Sequence, residues 1–218
     1  MKTLNTVNAI RPYSLGEEVG NAVSHGAMAL VTLCGIAPGA IYAYERRGAL
    51  AAFGTSVFMC SIFLMFLSSA LYHSMTVDIR YKQVLRILDH IFIYVAIAGS
   101  YTPVALSVIG GWPGALVASA QWVMVLFGIL YKSIIRRGIP KISLAIYLIM
   151  GWSILLVLPM FIRRARLGLQ VLILCGGVFY SAGTFFYSKK DIKFFHMIWH
   201  FFVSLGALCH FIGILLFL

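Results

Sequence analysis

Charge is the property that this sequence has least of. Asp, Glu, Lys and Arg together make up only 11% of its 218 residues, while 61% of the residues are hydrophobic. A typical soluble domain has about 25% charged residues, and a single core of this size could not hide so much apolar surface. The composition therefore excludes an ordinary soluble protein and indicates a polytopic membrane protein.

Acidic residues are particularly few: the chain has six of them against 17 Lys and Arg residues, which leaves a net charge of +11. A basic chain could bind nucleic acid if its cations lined one face together with aromatic side chains. Here the basic residues instead form short clusters between apolar runs, as the topology signals of membrane proteins do. We expect no nucleic-acid partner.

Cysteine is also rare, and the four cysteines lie inside apolar runs with no Cys-x-x-Cys spacing. This arrangement excludes a disulfide framework and a thiolate metal site. We interpret Cys34, Cys60, Cys175 and Cys209 as small, buried apolar residues. The polar segment 1–18 has no basic stretch that leads into a short apolar core, so we expect no cleaved signal peptide.

Seven apolar runs follow this polar segment. At about 1.5 Å per residue, each run is long enough to cross a bilayer as an α-helix. No charge occurs between His90 and Tyr131, but a Gly-Gly-Trp-Pro-Gly stretch at residues 110–114 divides that run into two helices. The sequence predicts an all-α membrane protein in which residues 1–218 form a single domain. Its seven transmembrane helices are expected at 19–44, 50–73, 85–107, 115–135, 142–162, 167–187 and 194–218.

The distribution of Lys and Arg predicts the orientation of the chain, because basic residues concentrate in cytoplasmic segments. With a cytoplasmic N-terminus, the inner segments hold Lys2, Arg11, Arg80, Lys82, Arg86, Lys132, Arg136, Arg137, Lys141, Lys189, Lys190 and Lys193. The outer segments hold only Arg46, Arg47, Arg163, Arg164 and Arg166. We therefore expect a multi-pass protein of the inner (plasma) membrane whose C-terminus is periplasmic or extracellular.

Ionisable residues inside the spans indicate a functional site, because such side chains are costly in a membrane. His196 and His200 lie four residues apart in the last span, so both imidazoles project from one helix face. The expected topology places His73, at the end of the second span, and Asp89, at the start of the third, at a similar depth. Three neutral imidazoles can hold a zinc ion and leave a fourth position for water, whose pKa the metal lowers. The sequence predicts a zinc site formed by His73, His196 and His200.

Two further side chains are candidates for catalytic roles at this site. Asp89 would hold or deprotonate the water. Ser69, one turn before His73, would donate a hydrogen bond to a ligand or to a substrate oxygen.

Glu17, Asn21 and His25 repeat at four-residue spacing at the cytoplasmic end of the first span, and Glu18 precedes Asn21 by three residues. One interpretation is that they support the metal ligands through hydrogen bonds or form a proton route. The other is a helix start whose acids complement the helix dipole, with Asn21 and His25 bonded to neighbouring helices. We expect His90, rotated away from the site, and His210, about 15 Å beyond the His pair, to be hydrogen bonders within the bundle.

Taken in order, these motifs resemble the bacterial hemolysin III family, which is related to the progestin and adipoQ receptors. The resemblance spans essentially the whole chain. The residues that carry it are Tyr13 to Glu18 with Asn21 and Ser24-His25-Gly26, Ser69 to His73, Leu88-Asp89-His90, Ala98 to Pro103, His196 to His200 and Cys209-His210-Phe211.

The resemblance implies seven helices with a cytoplasmic N-terminus. It also implies a zinc ion near the cytoplasmic face, held by His73, His196 and His200, with Asp89 near the bound water and Ser69 beside the first ligand. Relatives in the wider superfamily, including alkaline ceramidases, are linked to hydrolysis of lipid amides. The long N-terminal extension of the receptors is lacking here, so no protein-hormone role is expected.

Together, the residues and the resemblance predict a zinc-dependent hydrolase that cleaves an amide or ester bond of a membrane lipid at the cytoplasmic side. In this hypothesis Asp89 handles protons and Ser69 steadies the oxyanion. The alternative is a non-enzymatic membrane protein with a structural zinc, either a regulator of membrane lipid homeostasis or a pore-forming, cytolytic channel. The pore is less favoured, because the polar residues cluster in the inner half of the membrane.

Overall fold

The computed structural model describes residues 13–75, 79–134, 140–189 and 191–218, and these residues contain helices but no strand. Seven of the helical segments are long and apolar enough to cross a membrane, which confirms the prediction of an all-α protein with seven spans. The α-helices are α1 (Leu15–Arg47), α2 (Ala49–Ser74), α3 (Ile79–Pro103), α4 (Gly111–Ile134), α5 (Pro140–Trp152), α6 (Leu158–Arg164), α7 (Leu167–Ser188) and α8 (Phe195–Phe217).

The first helix begins earlier than its apolar run, because polar residues form its first turn. Ser14 and Glu17 make a capping box: the Glu17 carboxylate accepts from the Ser14 N–H at 3.0 Å, and the Ser14 hydroxyl accepts from the Glu17 N–H at 3.4 Å. This reciprocal pair satisfies amide groups that have no partner within the helix. A hydropathy profile does not detect such a cap. The apolar run therefore predicts a start at residue 19, whereas the helix begins at Leu15.

The third span ends in one turn of π-helix at Val104–Ile109, directly after Pro103. The chain then reverses at Gly110 and Gly111, whose φ angles of 62° and 58° lie in the left-handed region that glycine adopts without strain. The Gly110 N–H closes this turn on the Ala105 carbonyl at 2.9 Å. The glycine-rich break expected between the third and fourth spans is therefore present.

The fifth span is interrupted, since a 3₁₀ segment at Ser153–Val157 separates α5 from α6. Breaks of this kind are tolerated inside a membrane when side chains bond the freed backbone groups. Here the Tyr101 hydroxyl donates to the Gly151 carbonyl at 2.7 Å and accepts from the Ile154 N–H at 2.8 Å. A tyrosine of the third span thus stabilises the break in the fifth.

Helix packing brings the candidate residues to one end of the bundle. Helix α1 packs along α2, α2 along α3, and α8 along α7 and α1. The start of α1, the end of α2, the start of α3 and the start of α8 therefore lie together.

The interpretation of the cysteines as buried is wrong for two of them, because Cys34 and Cys60 are exposed on the bundle surface, where an apolar thiol can face lipid. All four thiols are free.

Candidate metal centre

Three histidines converge at this end of the bundle. His73 reaches the centre from the end of α2, while His196 and His200 come from the start of α8, and all three are buried. One ring nitrogen from each lies within 4.8 Å of the others. The Nε2 atoms of His73 and His196 are only 3.1 Å apart.

Hydrogen bonds on the far side of two of these rings direct the other nitrogen inward. His73 Nδ1 lies 2.6 Å from a carboxylate oxygen of Glu18, which can only accept while ionised. His200 Nδ1 lies 3.0 Å from the Ser24 hydroxyl, which donates to the Asn21 carbonyl and so accepts from the imidazole. Both rings therefore carry their proton on Nδ1 and turn the Nε2 lone pair toward the centre.

This donor set fits a metal ion. The Nε2 atom of His200, a fully buried residue, has no hydrogen-bond partner among the described residues, and such an orphaned buried acceptor is costly. In a tetrahedral zinc site with bonds of 2.0–2.1 Å, ligand nitrogens lie roughly 3.3 Å apart, close to the separation of His73 and His196. Neutral imidazoles suit zinc, copper, iron or nickel.

Asp89 on α3 and Ser69 on α2 are both buried. Asp89 lines a pocket of about 60 Å³ together with Arg86 and the candidate ligand His196. Ser69 lies four residues before His73 on α2, and its hydroxyl has no hydrogen-bond partner within the part of the chain that the structure describes. The Ser69 hydroxyl therefore does not bond a ligand imidazole here.

The three residues spaced along α1 have different surroundings. The Asn21 amide nitrogen lies 3.5 Å from His73 Nδ1, and the His25 ring stacks on the His200 ring. Glu17 instead bonds Ser14 and accepts from the Phe194 N–H at 3.1 Å, at the start of α8. Two of the three thus contact the imidazole cluster, whereas Glu17 joins two helix ends.

Four residues that touch the candidate ligands or their partners were assigned no contact with a ligand from the sequence, although three of them lie in the motifs that carry the family resemblance. Glu18 and Ser24 bond ligand rings, Tyr13 stacks on His196 with ring centroids 5.3 Å apart, and Lys82 pairs with Glu18. From the sequence, Lys82 was used only as evidence for the orientation of the chain. Lys82 lies seven residues before Asp89, so both side chains project from one face of α3. This spacing was the only feature of the sequence that could have indicated a place for Lys82 at the site.

The two histidines expected outside the site are hydrogen bonders, as predicted, but His90 is not rotated away from the site, because it lines the small pocket together with Asp89 and His196. His90 Nδ1 lies 2.7 Å from the Arg86 carbonyl on its own helix. His210 Nε2 lies 3.3 Å from the Ile173 carbonyl on α7, and so links two spans.

A large cavity begins beside the metal centre. Its volume is about 310 Å³, and most of its lining is apolar. Asp89, Tyr187 and Trp199 line both this cavity and the smaller pocket that contains His196. The cavity reaches His210, about 15 Å further along α8. An apolar chamber therefore opens onto the cluster of polar residues.

Comparison with known proteins identifies the family of this chain. The family model described as haemolysin-III related matches residues 13–211. The chain is 36% identical over 204 residues to the hemolysin-3 homolog of Bacillus subtilis, covering 93% of this chain and 95% of the relative. It is 34% identical over 200 residues to hemolysin-3 of Bacillus cereus, covering 91% and 90%.

A human protein is also similar. The monocyte to macrophage differentiation factor is 31% identical over 172 residues, which cover 72% of this chain and 65% of that protein. The family match includes all three converging histidines, Glu18 and Asp89. On these matches, the chain is a membrane protein that belongs to the hemolysin III family.

Proposed function

We propose that this protein is a zinc-dependent hydrolase of lipid amide or ester bonds, acting at the cytoplasmic side of the inner membrane. The observation that carries the proposal is the cluster of three buried histidines, two of which present an Nε2 lone pair to a common centre. A structural metal site is usually closed by a fourth protein ligand, whereas a catalytic one keeps a position open. Among the described residues, this group contains three candidate ligands and no fourth.

The chemistry that zinc supplies is Lewis-acid activation of a carbonyl and increased acidity of water. His73, His196 and His200 would hold the ion. The remaining steps fall to residues of the chain.

In this proposal Asp89 manages the proton. Its carboxylate lies where the large cavity meets the pocket of His196, so a lipid carbonyl entering from the cavity would pass beside it. There it can take a proton from water and return it to the leaving amine or alcohol.

Ser69 offers a hydroxyl whose hydrogen has no acceptor among the described residues. A donor of this kind can stabilise charge that develops on a carbonyl oxygen. Because the residue is buried on α2 four residues before His73, such a donor would be held in place beside the ligand.

The large cavity supports a lipid as the substrate class. A volume of about 310 Å³ with a mostly apolar lining suits an acyl chain, and polar residues at the end near the metal centre suit the bond to be cleaved. The same apolar lining argues against an ion channel, which requires a polar path through the membrane. A non-enzymatic regulator with structural zinc remains the alternative that activity measurements must exclude.

Metal content provides the first test. Elemental mass spectrometry of purified wild type should find about one zinc per chain, and His73→Ala, His196→Ala and His200→Ala should each lose it. His210→Ala is the matched control, since it removes a buried imidazole from α8 outside the cluster. Purified wild type should then release fatty acid from a lipid amide or ester. Wild type that binds zinc but cleaves none of a broad lipid panel would support the regulator instead.

A further inference from the structure

We propose that Glu18 and Lys82 form a positioning pair for the metal centre. Glu18 fixes the orientation and tautomer of the ligand His73, and Lys82 holds the Glu18 carboxylate in place. This inference rests on the proposed metal site. It assigns a role to two residues outside the ligand set, on two further helices.

The contact between Glu18 and His73 is short and buried. One carboxylate oxygen lies 2.6 Å from His73 Nδ1, and the exposed fractions of the two side chains are 8% and 0%. An ionised carboxylate has no proton to donate, so the imidazole must carry its proton on Nδ1. The Nε2 lone pair then faces His196, as metal binding requires.

A competing partner would favour the opposite tautomer. The Asn21 amide nitrogen also approaches His73 Nδ1, at 3.5 Å. An amide NH₂ is a donor and would place the imidazole proton on Nε2, where it would block the metal position. The shorter, charge-assisted bond to Glu18 outweighs this contact. Without Glu18, we expect the ring to lose its preference for the ligating tautomer.

Lys82 engages the other oxygen of the same carboxylate. It comes from α3 and is nearly fully buried, which is rare for lysine unless the charge is paired. The Lys82 ammonium also lies 5.3 Å from the centre of the Tyr72 ring. Tyr72 directly precedes His73 in the chain. With both carboxylate oxygens engaged, Glu18 is held in one rotamer that faces His73, and α1, α2 and α3 are joined at the metal centre.

The second oriented ligand provides a comparison within the same site. Ser24, also on α1, holds His200 Nδ1 through a neutral hydroxyl at 3.0 Å. Hydrogen bonds to ionised groups are roughly twice as strong as neutral ones. The first helix thus orients one ligand from each of two other helices, and the stronger of the two bonds acts on His73. Mutation of such hydrogen-bond partners of metal-binding histidines typically lowers metal affinity by about 10- to 100-fold.

The test is a double-mutant cycle on the full-length protein in detergent. Glu18→Gln, Lys82→Met and the double variant would be compared for zinc affinity, by competition with a chelator, and for the absorption spectrum of bound cobalt. Glu45→Gln is the control, because Glu45 is an exposed acid at the opposite end of α1. Thermal unfolding of the metal-free proteins would report general damage separately.

We expect Glu18→Gln to weaken zinc binding by about 10- to 100-fold and to alter the cobalt spectrum, while the control matches wild type. Lys82→Met should weaken binding less. It should have no further effect in the Glu18→Gln background, because it acts only through that carboxylate. Wild-type affinity in Glu18→Gln, or an undiminished Lys82→Met effect in the double variant, would overturn the proposal.

Nitrogen-15 NMR of histidine in the metal-free protein distinguishes this inference from the proposed function. His73 should carry its proton on Nδ1 in wild type and lose that preference in Glu18→Gln. If wild type binds no metal, the hydrolase proposal fails, but this tautomer shift still decides whether Glu18 orients His73. An unchanged His73 spectrum in Glu18→Gln would refute the pair whatever the metal content.

Discussion

The imidazole rings of His25 and His200 lie face to face, with centroids 3.5 Å apart and planes 7° from parallel. His25 is buried, lines the large cavity, and has no hydrogen-bond partner for either ring nitrogen among the described residues. His25 thus contacts a candidate metal ligand and also lines the cavity. His25 can therefore act through its ring surface, its nitrogens, or both.

Replacing His25 with Phe would separate these roles. Because Phe keeps a flat ring against His200, we expect His25→Phe to retain zinc. If the nitrogens contact a reacting lipid in the cavity that His25 lines, hydrolysis should fall by about 10²-fold. Zinc content and lipid turnover would be measured on the same preparation. Unchanged lipid turnover would show that His25 acts only through the packing of its ring against His200.

Asp89→Asn tests the proton-transfer role. The substitution preserves size but removes the basic carboxylate, so zinc content should stay normal while hydrolysis drops by about 10²- to 10⁴-fold. The comparison variant is Asp191→Asn, at an exposed acid between α7 and α8, which should behave as wild type. An Asp89→Asn protein with normal zinc and full activity would rule out that role.

Glu17 should contribute to stability rather than to metal binding. Its carboxylate caps α1 and holds the N–H of Phe194, a non-glycine residue in the left-handed region with φ of 62° at the start of α8. Glu17→Ala should lose about 1 kcal/mol of stability, as for other lost caps, and thermal unfolding in detergent would measure it. Unchanged thermal stability in Glu17→Ala, or a loss of zinc from it, would contradict this role.

The cavity should determine which acyl chains are accepted. A Cβ atom added at Gly151 would meet no atom within 4 Å, and this residue lines the cavity. Gly151→Phe should therefore narrow the cavity, and reduce turnover of long-chain lipids more than of short-chain ones. Leu156→Phe, at a position that is 85% exposed, is the control on the same span. An equal loss of turnover for lipids of every acyl-chain length would show that the cavity does not hold the acyl chain.

Reporter fusions would test the predicted orientation. Twelve of the 17 basic residues lie in segments on the same side as the N-terminus, so the N-terminus should be cytoplasmic. Alkaline phosphatase fused after Leu218 should then be active, because this enzyme folds only outside the cytoplasm, while green fluorescent protein at the same position should stay dark. The reverse pattern would place the metal centre at the outer face.

Much of the fold follows from the sequence because hydrophobicity is a local property. Seven apolar runs of bilayer length required seven helices, and a spacing of four residues placed His196 and His200 on one face of α8. The break between the third and fourth spans was also local, since two adjacent glycines permit the turn at 110–111. Pro159, in the first turn of α6, is a local signal for the break in the fifth span, but the Tyr101 hydroxyl that bonds the freed backbone groups comes from another helix and could not be predicted in this way.

The roles of neighbouring polar residues were decided only by tertiary packing. Glu17 and Glu18 are adjacent in sequence, but successive residues of an α-helix point about 100° apart. One carboxylate consequently meets the start of α8, and the other meets His73 and Lys82. Sequence spacing favoured Glu17, since it is in register with Asn21 and His25, whereas the packing of α1 against α2 and α3 gives Glu18 the contact with a ligand. Residue types and periodicity determined which side chains were available for the site, and the arrangement of the helices determined which of them meet.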